Sequence, residues 1–244
     1  MRNIKIIIEY DGTNYCGWQR QKNQRTIQEL LEEAVFKITK ERTSVTGCSR
    51  TDSGVHAKAF TANFKTNSSV PSRRFKDALN TKLPSDIVVI HSEEALDTFH
   101  SRYDAKGKTY CYTILNQENR SALFRNYSYN VKEELNLEWM IKACSYFIGT
   151  HDFEAFKSTG SSVKTSVRTI TQLYIEKQGN FIKIYATADG FLYNMVRIIV
   201  GTLIEVGKGK IAPEDIAAII KSKDRNKAGK CVPPQGLTLE KVYY

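Results

Sequence analysis

Several features that define common protein classes are absent from this 244-residue sequence. The five cysteines lie far apart, no CxxC pair occurs, and the four histidines lack the spacing of metal ligands. We therefore expect reduced thiols and no bound metal. A glycine-rich phosphate-binding motif is also missing.

Long apolar runs are scarce as well. The longest, FLYNMVRIIVGTLIEV, is shorter than a typical membrane-spanning segment and contains Arg197 near its middle. The first ten residues, MRNIKIIIEY, alternate apolar with charged residues, which is typical of a strand and not of a signal peptide. These patterns predict a soluble protein of the cytoplasm with no membrane contact.

Acidic residues are fewer than basic ones. The 36 Lys and Arg residues exceed the 26 Asp and Glu residues, which gives a net charge of +10 and a pI near 9.3. Excess positive charge favours a polyanion as partner, nucleic acid first, although a basic surface that binds nothing is the alternative. The length suits one broad domain or two halves.

The hydrophobic periodicity predicts an α+β fold. Ile4, Ile6 and Ile8 indicate a half-buried strand, and a capping box of Thr26 and Glu29 precedes the first predicted helix. Further helices are predicted in SRRFKDALNTKL, LEWMIKACSYFIG and NMVRIIVGTLIEV and near Pro213, and further strands in AFTANFK, IVVIHSEEAL, KTYCYTIL, a hairpin turning at Gly179, and GLTLEKVYY. We expect two halves, 1–100 and 101–244, each with antiparallel strands and helices to one side.

The segment GCSRTDSGVH, residues 47–56, places one carboxylate among small, turn-forming residues. Small neighbours let a substrate approach Asp52 closely, and Gly54 permits a strained turn. Asp52 is therefore a candidate nucleophile or base, although an aspartate that only caps a turn would have the same local sequence. Cys48 is a weaker candidate nucleophile, because no base adjoins it in the sequence.

Arg197 is the only charged residue between positions 191 and 204, in a predicted helix that is otherwise apolar. A guanidinium group buried there needs an acceptor, preferably a carboxylate, unless the side chain extends to the surface. Asn194, Arg197 and Gly201 form a polar stripe along one helix face. We expect Arg197 to pair with Asp52, which would lower the pKa of Asp52 and keep it ionised.

A third segment, RYDAKGKTYCY at residues 102–112, interleaves basic and aromatic residues. This pattern is typical of surfaces that stack nucleobases and neutralise phosphates. The alternative is an exposed strand edge guarded by lysines.

These segments carry a family resemblance that extends along the whole chain. GCSRTDSGVHA, together with YDGTNYCGWQRQ, FHSRYDAKGKTYCY, GFLYNMVRIIVGTLIEVGKG and GLTLEKVYY, resembles the tRNA pseudouridine synthase A family. The resemblance implies the pseudouridine synthase fold, in which two α+β halves with antiparallel sheets flank a basic central cleft. It also implies a homodimer that needs no cofactor and isomerises uridine at positions 38–40 of the tRNA anticodon stem-loop.

The same resemblance implies roles for four residues. Asp52 matches the catalytic aspartate, and Arg197 matches the arginine paired with it. Tyr110 matches the tyrosine that stacks on the target uracil, and Arg50 matches the arginine that helps to hold the target nucleotide out of the helical stack.

Two other function classes are compatible with parts of the sequence. TDSG resembles the motif of aspartic proteases, which need a second copy, but the sequence after Asp189-Gly190 continues with Phe191, and a protease leaves the charge of +10 unexplained. A tRNA-binding protein without catalytic activity is the second alternative. Asp52 argues against it, because a carboxylate repels phosphate.

Overall fold

The computed structural model describes residues 1–160 and 163–244, which form two compact units. The first unit comprises Met1–Lys106 together with Thr238–Tyr244, and the second comprises Gly107–Leu237. The sequence predicted halves of 1–100 and 101–244. In the structure the chain passes to the second unit after Lys106, and its C-terminal strand belongs to the first unit.

Ten strands and five helices are present in the part of the chain that the structure describes. In chain order they are β1 (Arg2–Tyr10), α1 (Ile27–Thr39), β2 (Thr46–Gly47), β3 (His56–Thr66), α2 (Phe75–Asn80), β4 (Ile87–Ala95), β5 (Gly107–Asn116), β6 (Tyr129–Val131), α3 (Leu137–Ser145), β7 (Gly149–Asp152), β8 (Val167–Gln178), β9 (Phe181–Ala188), α4 (Met195–Gly207), α5 (Asp215–Ser222) and β10 (Leu237–Tyr243). The predicted α+β class is confirmed.

The sheet of the first unit has the strand order β4-β1-β3-β10, and β2 pairs with β3. These pairings are antiparallel, as predicted, except that β10 runs parallel to β3. Ile4, Ile6 and Ile8 are fully buried, which confirms the alternation predicted for β1. Burial of each such side chain contributes about 1.5–3 kcal/mol.

The helices of the first unit cover this apolar face. Phe64 lies opposite Ile4 in the β1–β3 register, and the ring of Phe75 at the start of α2 contacts it edge-on, with ring centroids 5.4 Å apart. Leu31 and Val35 of α1 are fully buried. The helices predicted in these two segments are confirmed, and α2 ends at Asn80.

The capping box predicted at Thr26 is wrong. Thr26 precedes α1, but its side chain caps no amide, and its buried hydroxyl has no hydrogen-bond partner among the described residues. Instead, the amides of Ile27 and Gln28 donate to the carbonyl oxygens of Gly17 and Trp18, at 3.2 and 3.0 Å. The free N–H groups of the first turn are thus used to hold the preceding loop.

The sheet of the second unit has the order β5-β9-β8-β7, with β6 parallel to the end of β5. Its other pairings are antiparallel, and Gly179 makes the predicted turn between β8 and β9 with φ +57°. Helix α4 is buried along its length: Arg197 and Glu205 are its two residues that are not fully enclosed.

Strand β5 is not exposed at its lysine-containing start. It pairs with β9 from Lys108 to Leu115, and the side chains of Lys108, Thr109 and Tyr110 are at most 9% exposed. The alternative interpretation of the segment at residues 102–112 is therefore wrong for its strand portion.

Candidate active site

Asp52 lies in the loop between β2 and β3 and is partly exposed. It is the only acidic residue between positions 47 and 56. Its carbonyl oxygen accepts a hydrogen bond from the amide of Val55 at 3.2 Å, and Gly54 has φ +77°. The loop is therefore a tight turn that needs a glycine, as the sequence predicted.

The conformation of the Asp52 loop is fixed by main-chain contacts with the segment that follows β1. The amide of Trp18 donates to the carbonyl of Thr51 at 3.1 Å. The carbonyl of Tyr15 accepts from the amide of Gly54 at 3.3 Å and from the hydroxyl of Ser53 at 3.0 Å. Each residue beside Asp52 is thus bonded to this segment, which leaves little freedom for the loop.

Two glycines allow the two segments to approach this closely. A Cβ atom on Gly17 would lie 2.2 Å from the carbonyl oxygen of Thr51, and one on Gly12 would lie 2.0 Å from that of Val55. Gly17 also has φ +81°, which disfavours any other residue. The amide of Gly12 donates to Nδ1 of the buried His56 at 3.0 Å.

Two aromatic side chains anchor the segment after β1. The Trp18 ring stacks on Phe60 of β3 with centroids 4.1 Å apart, and a Cβ on Gly47 would lie 2.5 Å from it. The Tyr15 hydroxyl donates to the carboxylate of Asp86 at 2.5 Å. Burial, followed by the Asp86 carboxylate, raises the pKa of Tyr15 above its ordinary value, so the phenol remains a donor.

Arg197 is the third residue of α4, in the second unit. Its Nε donates to the carbonyl of Val232 at 2.7 Å, and one of its terminal nitrogens donates to the side-chain oxygen of Asn194 at 2.6 Å. The guanidinium group is therefore held by protein acceptors. Asn194 and Arg197, which were predicted to share a polar stripe, are thus in contact, although Asn194 precedes α4 and has φ +62°.

Glycines also bring the Val232 segment against α4. A Cβ on Gly201 would lie 1.8 Å from the carbonyl oxygen of Lys230, and one on Gly229 would lie 2.5 Å from the main chain of Gly201. The amide of Gly229 donates to the Thr202 hydroxyl at 2.9 Å. This contact places the acceptor for Arg197 Nε.

Tyr110 lies in β5, opposite Ala186 of β9. Its ring meets Phe191 edge-on, with centroids 5.2 Å apart, and 7% of the residue is exposed. Phe191 thus fixes the plane of the tyrosine ring.

The predicted site residues fall into two pairs. Arg50, which is exposed, shares the loop of Asp52 in the first unit, whereas Tyr110 and Arg197 belong to the second unit. The pairing of Arg197 with Asp52 stays a prediction. Cys48 is buried, and its sulfur lies 3.8 Å from the Ser49 hydroxyl.

Sequence reasoning missed the residues that position these side chains. Gly12, Gly17 and Trp18 shape the Asp52 loop, and Gly201 and Gly229 bring the Val232 carbonyl to Arg197. The available signal was two glycines within one short polar segment, DGTNYCG, which suggest close main-chain contact. The sequence does not reveal which segment makes the contact.

Comparison with known proteins gives a consistent family match. The family model described as tRNA pseudouridine synthase matches residues 6–104 and 143–244. Asp52, Arg50 and Arg197 lie within the matched segments, and Tyr110 lies between them.

Individual relatives match along their full length. The chain is 64% identical to tRNA pseudouridine synthase A 2 of Clostridium perfringens and 60% identical to tRNA pseudouridine synthase A of Clostridium botulinum strain Alaska E43, over 100% of both chains in each case. It is 55% identical to tRNA pseudouridine synthase A of Acetivibrio thermocellus, again over 100% of both chains. Among solved structures, a chain of a Cbf5–Nop10–Gar1 complex aligns with 96% of this chain and 57% of its own length, with a TM-score of 0.41 and 10% identity.

In residues 1–160 and 163–244, no group of three or more His, Cys, Asp or Glu side chains is arranged to hold a metal ion. Within the same ranges, no helix has both the length and the apolar character required to span a bilayer.

The contact between α4 and the Val232 segment predicts a steric effect of one methyl group. Gly201→Ala should lower the melting temperature by about 2–10 °C, because the new Cβ would overlap the Lys230 carbonyl. Gly190→Ala is the matched control, since its Cβ would meet Arg168 at an ordinary 3.5 Å. Calorimetry showing equal melting temperatures for the two variants would contradict this account of the contact.

Proposed function

Because the chain belongs to the tRNA pseudouridine synthase family, we propose that it isomerises uridine to pseudouridine at positions 38–40 of the tRNA anticodon stem-loop. The observation that carries the proposal is the loop of Asp52. A single, partly exposed carboxylate lies there, and the segment after β1 holds the main chain before and after it. The net charge of +10 suits a tRNA substrate.

The reaction is an isomerisation without net oxidation or hydrolysis. The C1′–N1 bond of the target uridine breaks, the uracil turns, and C1′ joins C5. The proton on C5 is then released, and N1 gains a proton. The atoms balance without a second substrate.

Asp52 is the proposed catalytic residue. An ionised carboxylate supplies either a nucleophile for carbon or a base for a sugar proton, and both roles require it to touch the target nucleotide. The nucleotide must first leave the helical stack, which costs a few kcal/mol. The small side chains of Ser53 and Gly54 leave room for it beside the carboxylate.

The remaining site residues have binding roles in this proposal. Tyr110 stacks on the uracil, Arg50 helps to hold the displaced nucleotide, and Arg197 pairs with Asp52 and keeps it ionised. The contacts of Arg197 with Val232 and Asn194 support this role, because they fix the position of the guanidinium group.

The proposal also covers the cellular location and the oligomeric state of the protein. We propose that it acts in the cytoplasm and as a homodimer. The family resemblance supports both statements.

Asp52→Asn tests the catalytic proposal. The variant should melt normally and bind tRNA, yet release no tritium from tRNA labelled at C5 of uridine, because an amide is neither base nor nucleophile. Asp97→Asn makes the same change at a carboxylate whose side chain is 72% exposed, and should retain activity. Appreciable turnover by Asp52→Asn would remove Asp52 from the mechanism. If the unaltered protein also releases no tritium, the result would favour a tRNA-binding protein without catalytic activity.

Arg197→Met tests the proposed pair. The apolar side chain should keep α4 packed but remove the cation beside Asp52, so the rate should fall about 10²-fold or more. The pKa of Asp52 should rise when the cation is lost, and the ionised form should predominate only at higher pH. The acidic limb of the pH–rate profile should therefore move to higher pH. A profile that keeps its position while the rate falls would argue against the pair.

Tyr110→Phe and Tyr110→Ala separate the ring from its hydroxyl. Stacking under a base contributes about 1–3 kcal/mol, and Tyr110→Phe keeps it, so this variant should bind tRNA normally, whereas Tyr110→Ala should fail in binding and turnover. If the hydroxyl also moves the C5 proton, which we expect, Tyr110→Phe should turn over slowly. Near-normal rates for both variants would show that Tyr110 does not touch the base.

A further inference from the structure

The segment between Trp18 and α1 is unusually polar and basic. Residues 19–25, with the sequence QRQKNQR, are all exposed and include three cations and no acid. We call this segment the 19–25 loop. The proposed chemistry at Asp52 does not use it.

Hydrogen bonds within the 19–25 loop and to its flanks hold it in one conformation. The amide of Cys16 donates to the carbonyl of Arg25 at 2.9 Å and closes the loop at its base. The side chain of Gln21 donates to the carbonyl of Cys16 at 3.2 Å, and the amide of Arg20 donates to the side chain of Gln28 at 2.9 Å. A loop ordered in this way loses little entropy when it binds a partner.

The base of the 19–25 loop is also fixed to the Asp52 loop. Gly17 and Trp18, which precede it directly, contact Thr51 through the main chain, at the distances given above. A strand of RNA whose nucleotide is held at Asp52 therefore has this loop beside it in the same unit.

The three cations of the loop differ in their surroundings. Arg20 forms ion pairs with Glu29 and Glu32 at 3.6 and 3.3 Å, and the guanidinium group of Arg25 lies over the Tyr15 ring, 5.0 Å from its centroid. Lys22 is exposed and has no acidic partner among the residues that the structure describes. Lys22 is therefore the cation that can approach a phosphate without breaking an ion pair or a cation–π contact.

We propose that the 19–25 loop binds the phosphate backbone of the tRNA next to the target nucleotide, with Lys22 contacting a phosphate. The inference rests on the proposed function, because it needs an RNA strand at Asp52. The amide side chains of Gln19 and Asn23 add donors for phosphate and sugar oxygens. The loop also offsets the repulsion between the Asp52 carboxylate and the RNA backbone.

The test compares Lys22→Ala with two matched variants. Lys22→Ala should raise the dissociation constant of an in vitro transcribed tRNA about 3–10-fold and reduce the slope of log affinity against log salt by about one, over about 50–200 mM salt. Lys22→Arg keeps the charge and should restore both quantities. Lys37→Ala removes an exposed lysine ten residues after Ile27, about 15 Å along α1, and should change neither.

Kinetics separate phosphate binding from a structural role. Under single-turnover conditions, with enzyme in excess over tRNA, Lys22→Ala should raise the enzyme concentration needed for half-maximal rate much more than it lowers the maximal rate. Equal affinities and salt slopes for Lys22→Ala and Lys37→Ala would overturn the inference. The proposed function would still stand if the unaltered protein forms pseudouridine. If the unaltered protein binds tRNA with this salt dependence but forms no pseudouridine, the proposed function fails and the phosphate site stands.

Discussion

The contact between Gly17 and the carbonyl oxygen of Thr51 is the constraint on which the Asp52 loop depends. No side-chain atom fits between the two segments at this point, so main chain lies directly on main chain. The amide of Trp18 then reaches the same carbonyl, and the carbonyl of Tyr15 reaches Ser53 and Gly54. The direction of the Asp52 side chain is consequently set by backbone geometry on both of its sides.

The second unit also has close main-chain contact at glycines, in this case around Arg197. Gly201 and Gly229 bring the 229–232 segment onto α4, and the Val232 carbonyl there accepts from Arg197 Nε. A charged side chain in a helix that is otherwise buried is costly unless each of its donors has an acceptor. Close main-chain contact supplies a carbonyl for this purpose without adding a second charge.

The sequence predicted the elements well because periodicity is a local property. The strand β1, the helix α4 and the turn at Gly179 each follow from residues within one segment. The capping box at Thr26 is absent: the Glu29 carboxylate pairs with Arg20, and the amides of Ile27 and Gln28 bond to the carbonyls of Gly17 and Trp18. A prediction from local sequence does not include such competing acceptors from a neighbouring loop.

The candidate site was predictable in its chemistry but not in its construction. Arg197 stood out as the one charge in an apolar helical segment, and Asp52 as the one carboxylate among small, turn-forming residues. The glycines that place them gave a less specific signal, because a glycine that admits a distant main chain has the same local sequence as one that only turns the chain. The partners of Gly12 and Gly201 lie 43 and 29 residues further along the chain, at Val55 and Lys230.

The return of β10 to the first unit affects how the protein is made. Residues 238–244 complete the sheet beside β3, the Tyr244 hydroxyl donates to the Ser101 carbonyl at 2.7 Å, and the Lys106 amide donates to the Tyr243 carbonyl at 2.8 Å. On the ribosome, Asp52 emerges early, but the sheet that carries its loop lacks a strand until residue 244 has been translated. The second unit is continuous in sequence and does not depend on β10. It should therefore fold in the nascent chain before the first unit is complete.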